Sequence, residues 1–359
     1  MPFSSSFQAV NSRFSNSQNG PLSWGKVIDW RRASGTMKEN ALNAATGAVT
    51  ARRTAGGVNS DLGFYAENDL TLGALVLTGG LRADRTTIDD GYFEVRSAAG
   101  VVTSRTDYAT QTGWTATWRG GAVIRLSQAI AIRGAAYTGL RQPTLNELYR
   151  PFTVFPITTQ ANAALRNERQ KGFEAGLDLT PVQGVRLSVT GFENRIESAI
   201  ANVTIGTNLR QRQNIAEIRA QGIEASAEVT HGIAHFSGSL AWTDADLRNG
   251  PASALTGKRP AQTPRVAASA TLAITPATGW RIAATARHIG QQFEDDLQQD
   301  SLPAATTFDA FILLPLVGRA SLLLRGENMF DAAVTTRNSG GSIDLGSPRT
   351  LWAGLRLGL

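Results

Sequence analysis

The sequence contains no cysteine and only three histidines. The first absence removes disulfides, thiolate metal sites and cysteine nucleophiles together, and it leaves the redox compartment open. His231, His235 and His288 are too dispersed for a metal site, and the spacing of His231 and His235 in a strand region merely puts them on one face. No run approaches the roughly 18 uninterrupted apolar residues of a membrane-spanning helix, which excludes a helical membrane protein. Membrane strands stay open as a possibility, because each crosses with about 9 to 11 residues and turns only alternate ones to lipid. No basic block is present: the net charge of +6 comes from 35 Lys and Arg scattered among 29 Asp and Glu, a pattern that argues against nucleic-acid binding. Met1 to Gly20 is polar and rich in Ser and Asn, so no signal peptide is visible. There is no Gly-x-Ser-x-Gly elbow and no recognisable set of nucleophile, base and orienting group, so the chain does not read as an enzyme.

What is present is strict alternation. Leu75, Leu77, Gly79, Leu81 and Ala83 fall on one face, with Val76, Thr78, Gly80, Arg82 and Asp84 on the other. The pattern returns in Val185, Leu187 and Val189, in Ile223, Ala225, Ala227 and Val229, and in Trp280, Ile282, Ala284 and Ala286. Soluble sheets alternate too, and connection lengths separate the two cases. Short Gly- or Pro-containing turns at Thr180 to Gly184, His231 to Gly232, Thr275 to Gly279 and Pro315 to Gly318 suit tight hairpins. Between them lie long polar stretches: Asp89 to Thr112, Arg141 to Gln170, Asp244 to Thr263, Gly290 to Ala305 and Asp331 to Gly346. Short periplasmic turns and longer extracellular loops are the asymmetry of bacterial outer-membrane barrels. The reading is therefore all-β: an antiparallel transmembrane β-barrel of about 14 to 16 strands. Residues 1–60 form a poorly defined segment, with one strand at Leu22 to Arg32 and a loop or hairpin at Ala41 to Gly57; residues 61–359 form the barrel. Trp114, Trp118, Trp242, Trp280 and Trp352 fall near strand ends, where indoles form an interfacial girdle. Arg82, Arg125, Arg133, Arg186, Arg281, Arg287 and Arg325 are read as lining a lumen attractive to anions.

Several further motifs lie in order along the chain. From Arg141 to Tyr149 the chain reads Arg-Gln-Pro-Thr-Leu-Asn-Glu-Leu-Tyr, which is similar to the Arg-x-Pro-x-x-x-Glu-Leu-Tyr signature of TonB-dependent outer-membrane receptors. Asn167-Glu168-Arg169 with Gly172-Phe173-Glu174-Ala175-Gly176, Gln221-Gly222-Ile223-Glu224 and Asn328-Met329-Phe330-Asp331 resemble further elements in family order. So do Leu62 to Asn68, Gly79 to Asp84 and the closing strand Pro348 to Leu359, so that the likeness runs from about Asp61 to the last residue. Most members of the family close with Phe or Trp where this chain has Leu359. The resemblance implies a bacterial outer-membrane location and a barrel of about 22 strands around a plug. The expectation is thus an incomplete barrel from a truncated or split receptor, with TonB a partner only if a plug is supplied by another polypeptide.

The function so implied is uptake of a scarce nutrient such as a ferric siderophore or cobalamin; a passive pore or an inactive receptor fragment are the alternatives. Arg141, Asn146, Glu147 and Tyr149 either help bind the ligand at the outer mouth or pin a loop to its strand. Leu351, Trp352, Leu355, Leu357 and Leu359 belong to the terminal strand, whose apolar face suits outer-membrane lipid and the barrel assembly machinery. The acidic loop Phe293-Glu294-Asp295-Asp296-Leu297, with Asp300, lacks the glycine spacing of a calcium loop; it reads as a solvated loop, as do Asp89, Asp90 and Glu94. No cofactor and no metal are expected.

Overall fold

A computed structural model of the chain describes residues 3–16, 22–43 and 45–358. Among the described residues no helix is long and apolar enough to cross a membrane; the chain is almost entirely antiparallel strand. The strands run β1 (Phe3–Asn16), β2 (Leu22–Leu42), β3 (Val49–Leu72), β4 (Leu75–Ser97), β5 (Val102–Asp107), β6 (Gln111–Arg125) and β7 (Ile130–Arg141), then a short helix α1 (Leu145–Tyr149). They continue with β8 (Phe152–Val154), β9 (Ile157–Gln160), β10 (Glu168–Leu179), β11 (Val185–Gly206), β12 (Leu209–His231) and β13 (Ala234–Arg248). The remainder are β14 (Val266–Ile274), β15 (Arg281–Ile289), β16 (Gln292–Phe293), β17 (Ser301–Leu302), β18 (Ala305–Pro315), β19 (Ala320–Glu327), β20 (Thr335–Ser339), β21 (Ser342–Leu345) and β22 (Thr350–Leu357).

The faces of these strands are inverted relative to a soluble sheet. In β4, Leu81 is 69% exposed whereas Asp84 and Thr86 are 4% and 5% exposed. In β2, Leu22, Trp24 and Ile28 face outward and Asp29 is buried. Oily residues outward and polar ones inward is the arrangement that a lipid solvent requires. Trp114, Trp118, Trp242, Trp280 and Trp352 are all exposed as well, so none is an ordinary core tryptophan.

The chain forms two compact units. The first comprises Met1–Ala122, Ala136–Lys171 and Ile196–Glu217. Its strands β1 to β4 pair in sequence, and β2 and β3 run in register from Leu22↔Leu70 to Leu42↔Val49. The stretch expected as a loop or hairpin at Ala41 to Gly57 is a hairpin whose tip lies between Leu42 and Val49. Strands β2, β3 and β4 have 21, 24 and 23 residues, about twice what a bilayer crossing needs. The unit also holds a small apolar cluster of Met37, Ala55, Ile88, Leu148, Tyr149 and Leu165.

The second unit comprises Val123–Ala135, Gly172–Arg195 and Ile218–Leu359. Here β13, β14, β15, β18, β19 and β22 pair each with the next as an antiparallel meander. The tight turns fall where Gly and Pro place them. Gly184 has φ 85°, and a Cβ there would stand 2.5 Å from the Thr230 carbonyl oxygen; both facts demand glycine.

The polar stretches expected as long loops are largely ordered. Between Asp89 and Thr112, β4 continues to Ser97 and pairs with β5. β16 pairs with β17 inside Gly290 to Ala305, and β20 with β21 inside Asp331 to Gly346. Where a strand has no face that must be oily, the period-two signal fades while backbone pairing persists.

Candidate functional site

The segment between β7 and β10 folds onto the polar face of the first unit, and the Arg141 to Tyr149 motif organises it. Thr144 caps α1 with an extended backbone, φ −77° and ψ 156°. Its hydroxyl accepts a hydrogen bond from the Glu147 N–H at 3.2 Å, and the Glu147 carboxylate accepts one from the Thr144 N–H at 2.7 Å. This reciprocal capping box makes a five-residue helix definite despite its length. The Arg141 guanidinium, at the end of β7, donates to Glu147 at 3.1 Å and also to Glu168 at the start of β10. Glu168 in turn accepts from the Ile200 N–H of β11 at 2.6 Å. One arginine thereby ties a helix to three strands.

Electrostatics favour the charged forms of Arg141 and Glu147. Burial acts to raise the Glu147 pKa, but hydrogen bonds from Arg141 and from the Thr144 backbone and hydroxyl outweigh it and hold the carboxyl below its ordinary range. Arg141 is held more firmly protonated, chiefly by Glu168, with Glu147 also contributing. Burial pushes the Tyr149 hydroxyl up. The Tyr149 side chain is 1% exposed and stacks on Tyr108 at 4.8 Å and 19°. Gly91 leaves room for it, since a Cβ there would lie 2.3 Å from Tyr149 Cζ.

A second anchor has no signal in the sequence. Arg212 of β12 donates to the carbonyls of Arg150, at 2.9 Å, and of Asn146, and its guanidinium lies 5.0 Å over the Phe152 ring. Asn214 accepts from the Arg166 N–H at 2.9 Å and donates to the carbonyls of Arg166 and Ser198 at 3.0 and 2.7 Å. β9 adds parallel to the same strand, from Leu209↔Thr158 to Gln211↔Gln160. Arg212 and Asn214 sit within an ordinary strand, so nothing local announces their partners. Of the four motif residues, Arg141, Glu147 and Tyr149 are engaged within the protein. The Asn146 side chain is exposed and makes no hydrogen bond among the described residues.

Beside this segment lies a cavity of about 440 Å³. It is lined by Thr86 and Ile88 of β4, Gln111 to Thr115 of β6, Arg166 and Asn167, Arg169 of β10, and Glu197 and Ser198 of β11. In the second unit a larger cavity of about 690 Å³ is lined by Arg133, Arg287 and many hydroxyl and small side chains.

Most of the arginines expected to charge a lumen are neutralised. Arg82 bridges Asp29 at 2.7 Å and Asp84 at 2.6 Å. Arg133 meets Asp178 at 3.2 Å, Arg325 meets Glu327 at 2.5 Å, and Arg287 pairs with Asp309. Carboxylates recur beside them on the polar face, so the expected anion attraction is largely cancelled pair by pair. Arg125, Arg186 and Arg281 have no ion pair among the described residues.

The acidic loop, expected to be solvated, is buried at Asp295 and Asp296 because its carboxylates are used by its own backbone. Asp295, 5% exposed, accepts from the N–H groups of Leu297, Gln299 and Asp300 at 2.7 to 2.9 Å. Asp89 accepts from the Thr110 hydroxyl at 2.5 Å, and Glu94 pairs with Arg96 and Arg105. Among the described residues no three His, Asp or Glu side chains converge to hold a metal ion. On the terminal strand Leu351, Trp352, Leu355 and Leu357 are exposed while the backbone pairs with β19; Leu359 lies outside the described residues.

The chain is 26% identical over 271 residues to the vitamin B12 transporter BtuB of Photobacterium profundum, a match that covers 74% of this chain and 40% of that protein. It superposes on the ferric yersiniabactin uptake receptor FyuA from Yersinia pestis with a TM-score of 0.79 at 13% identity, covering 99% of this chain and 54% of that one. The ferric-catecholate import receptor Fiu from K12 E. coli, in its closed form, gives 0.76 at 17% identity, covering 99% and 55%. The chain therefore spans about half the length of these solved receptors. At such identities the superpositions speak for the fold alone. The family described as TonB dependent receptor-like, beta-barrel matches residues 2–329, and the chain belongs to that family.

Proposed function

We propose that this chain is barrel wall of a bacterial outer-membrane receptor that takes up a scarce nutrient, such as a ferric siderophore or a cobalamin. The observation that carries the reading is the inside-out distribution of side chains, oily residues outward and paired charges inward, on a chain of this family. The names of its relatives, a vitamin B12 transporter and receptors for ferric yersiniabactin and ferric catecholates, support the ligand class. In this reading Arg141, Glu147, Glu168, Tyr149 and Arg212 anchor the segment between β7 and β10, and ligand contact falls to exposed groups such as Asn146. Lipid covers the outward apolar face, and the assembly machinery engages the terminal strand through Leu351, Trp352, Leu355, Leu357 and Leu359. TonB acts through a plug, whichever polypeptide carries it.

The test is uptake of radiolabelled ferric chelates and cyanocobalamin by cells carrying the gene, with and without TonB. Accumulation that needs both the gene and TonB supports the receptor. Uptake indifferent to TonB, with steady conductance of the purified chain in planar bilayers, replaces it with a passive pore.

A further inference from the structure

The cavity beside the α1 segment holds two arginines that no carboxylate meets among the described residues, unlike the charged pairs around it. Nearby, Arg141 is met by Glu147 and Glu168, Arg105 by Glu94 and Asp107, and Arg212 by two carbonyls. Arg166 and Arg169 line the cavity, and neither guanidinium has an ion pair or hydrogen bond among the described residues. The carboxylate in the lining, Glu197, is already held by Lys171 Nζ at 2.5 Å. Both guanidinium groups are exposed on the cavity lining and free to meet an anion from solution.

We propose that this cavity binds a multivalent oxyanion, carried by the nutrient ligand as carboxylate or phosphoryl groups. Guanidinium forks match such groups with two parallel hydrogen bonds. The cavity volume of about 440 Å³ lies within the range of about 300 to 1,000 Å³ typical of small-molecule sites. Two carboxamides complete the lining. Gln111 Nε2 donates to the Ala163 carbonyl at 2.6 Å, and Asn167 Nδ2 donates to the Thr86 hydroxyl at 3.4 Å. Each carboxamide is thus fixed and keeps one further N–H to offer an acceptor. The proposal rests on the receptor reading for its ligand and on the cavity for its chemistry.

Equilibrium dialysis of the folded, detergent-solubilised chain against radiolabelled citrate and inorganic phosphate tests it. Binding of at least one probe is expected. It should weaken at least tenfold in Arg166→Gln/Arg169→Gln, and again when salt is raised from about 0.05 to 0.5 M, as screening of exposed charges requires. The pair Arg281→Gln/Arg349→Gln, in the other unit, removes the same charge and should leave binding intact. Citrate alone binding assigns a carboxylate ligand, and phosphate alone a phosphorylated one. Equal binding in the wild type and the cavity variant, or none of either probe, overturns the proposal. TonB-dependent uptake of a neutral chelate with no anion binding leaves the receptor standing and removes this site. Anion binding without any chelate uptake does the reverse.

Discussion

The sharpest consequence of the site's architecture concerns Arg212→Met. Arg212 is the point at which β12 grips the inward-folded segment, through the carbonyls of Asn146 and Arg150 and the face of Phe152. Methionine keeps much of the side-chain volume, so little packing is lost, but both carbonyls lose their charged donor. A hydrogen bond to a charged group contributes about 1.5 to 3 kcal/mol. One nitrogen serves both carbonyls here, so the pair is worth about 3 kcal/mol rather than the sum. Other anchors survive: Arg141, Asn162, Asn214 and the parallel pairing of β9 with β12. The substitution should therefore open the segment locally and leave the sheet intact. About 3 kcal/mol corresponds to roughly a 100-fold rise in the opening constant. Hydrogen exchange resolved by peptide should show amides of residues 142–165 exchanging that much faster, with those of β14 and β15 unchanged. Arg212→Lys should recover part of the protection, because one ammonium nitrogen can donate to both carbonyls but cannot lay a planar group on the Phe152 face. Unaltered exchange in 142–165, or an equal acceleration through β14 and β15, would refute the anchoring argument.

Gly91→Val should drive Tyr149 off Tyr108, because even the first added carbon would stand 2.3 Å from the Tyr149 ring; a loss of about 1 to 3 kcal/mol and a weaker near-UV dichroism signal are expected, and a preserved signal would count against the packing. The depressed Glu147 pKa means that its contribution to the clasp is complete above the unfolded value, about 4.3, and disappears as pH falls through the lower folded value. The tyrosine dichroism should follow that acid transition, and Glu147→Gln should abolish the pH dependence. On the outward face, Leu81→Arg should cost about 2 to 4 kcal/mol if the residue lies near the bilayer midplane, read as a lowered denaturant midpoint in lipid vesicles; an unchanged midpoint would place Leu81 out of lipid. Arg82→Gln and Asp29→Asn together should lower the denaturant midpoint by less than the sum of the two single changes, because the Arg82–Asp29 bond is lost only once; strict additivity would show the pair to be uncoupled.

Legibility in the sequence follows the solvent. Where one face of a strand meets lipid and the other does not, composition must alternate, and Leu75 to Asp84 announces both the strand and which side is which. The inverted burial of Leu81 and Asp84 adds what alternation alone could not, since a soluble sheet alternates equally well with the opposite sense. Beyond the lipid the constraint lapses. The far parts of β3, β4, β11 and β12 mix polar and apolar residues without strict alternation, and backbone pairing, which leaves little mark on composition, continues them.

The motif at Arg141 to Tyr149 was visible because its partners are close in sequence: a capping box needs four residues, and Arg141 to Glu147 spans only seven. Its counterparts were invisible because they are remote, Arg212 lying 66 and 62 residues from the carbonyls it holds. The same distinction separates anchoring from recognition. Arg141, Glu147 and Glu168 satisfy one another and so present no unmet charge to a ligand, whereas Arg166 and Arg169 interrupt no local pattern and are left uncompensated by the fold. A motif whose charges are self-satisfied in this way serves to hold the backbone. Specificity then belongs to the residues whose chemistry the protein itself does not complete.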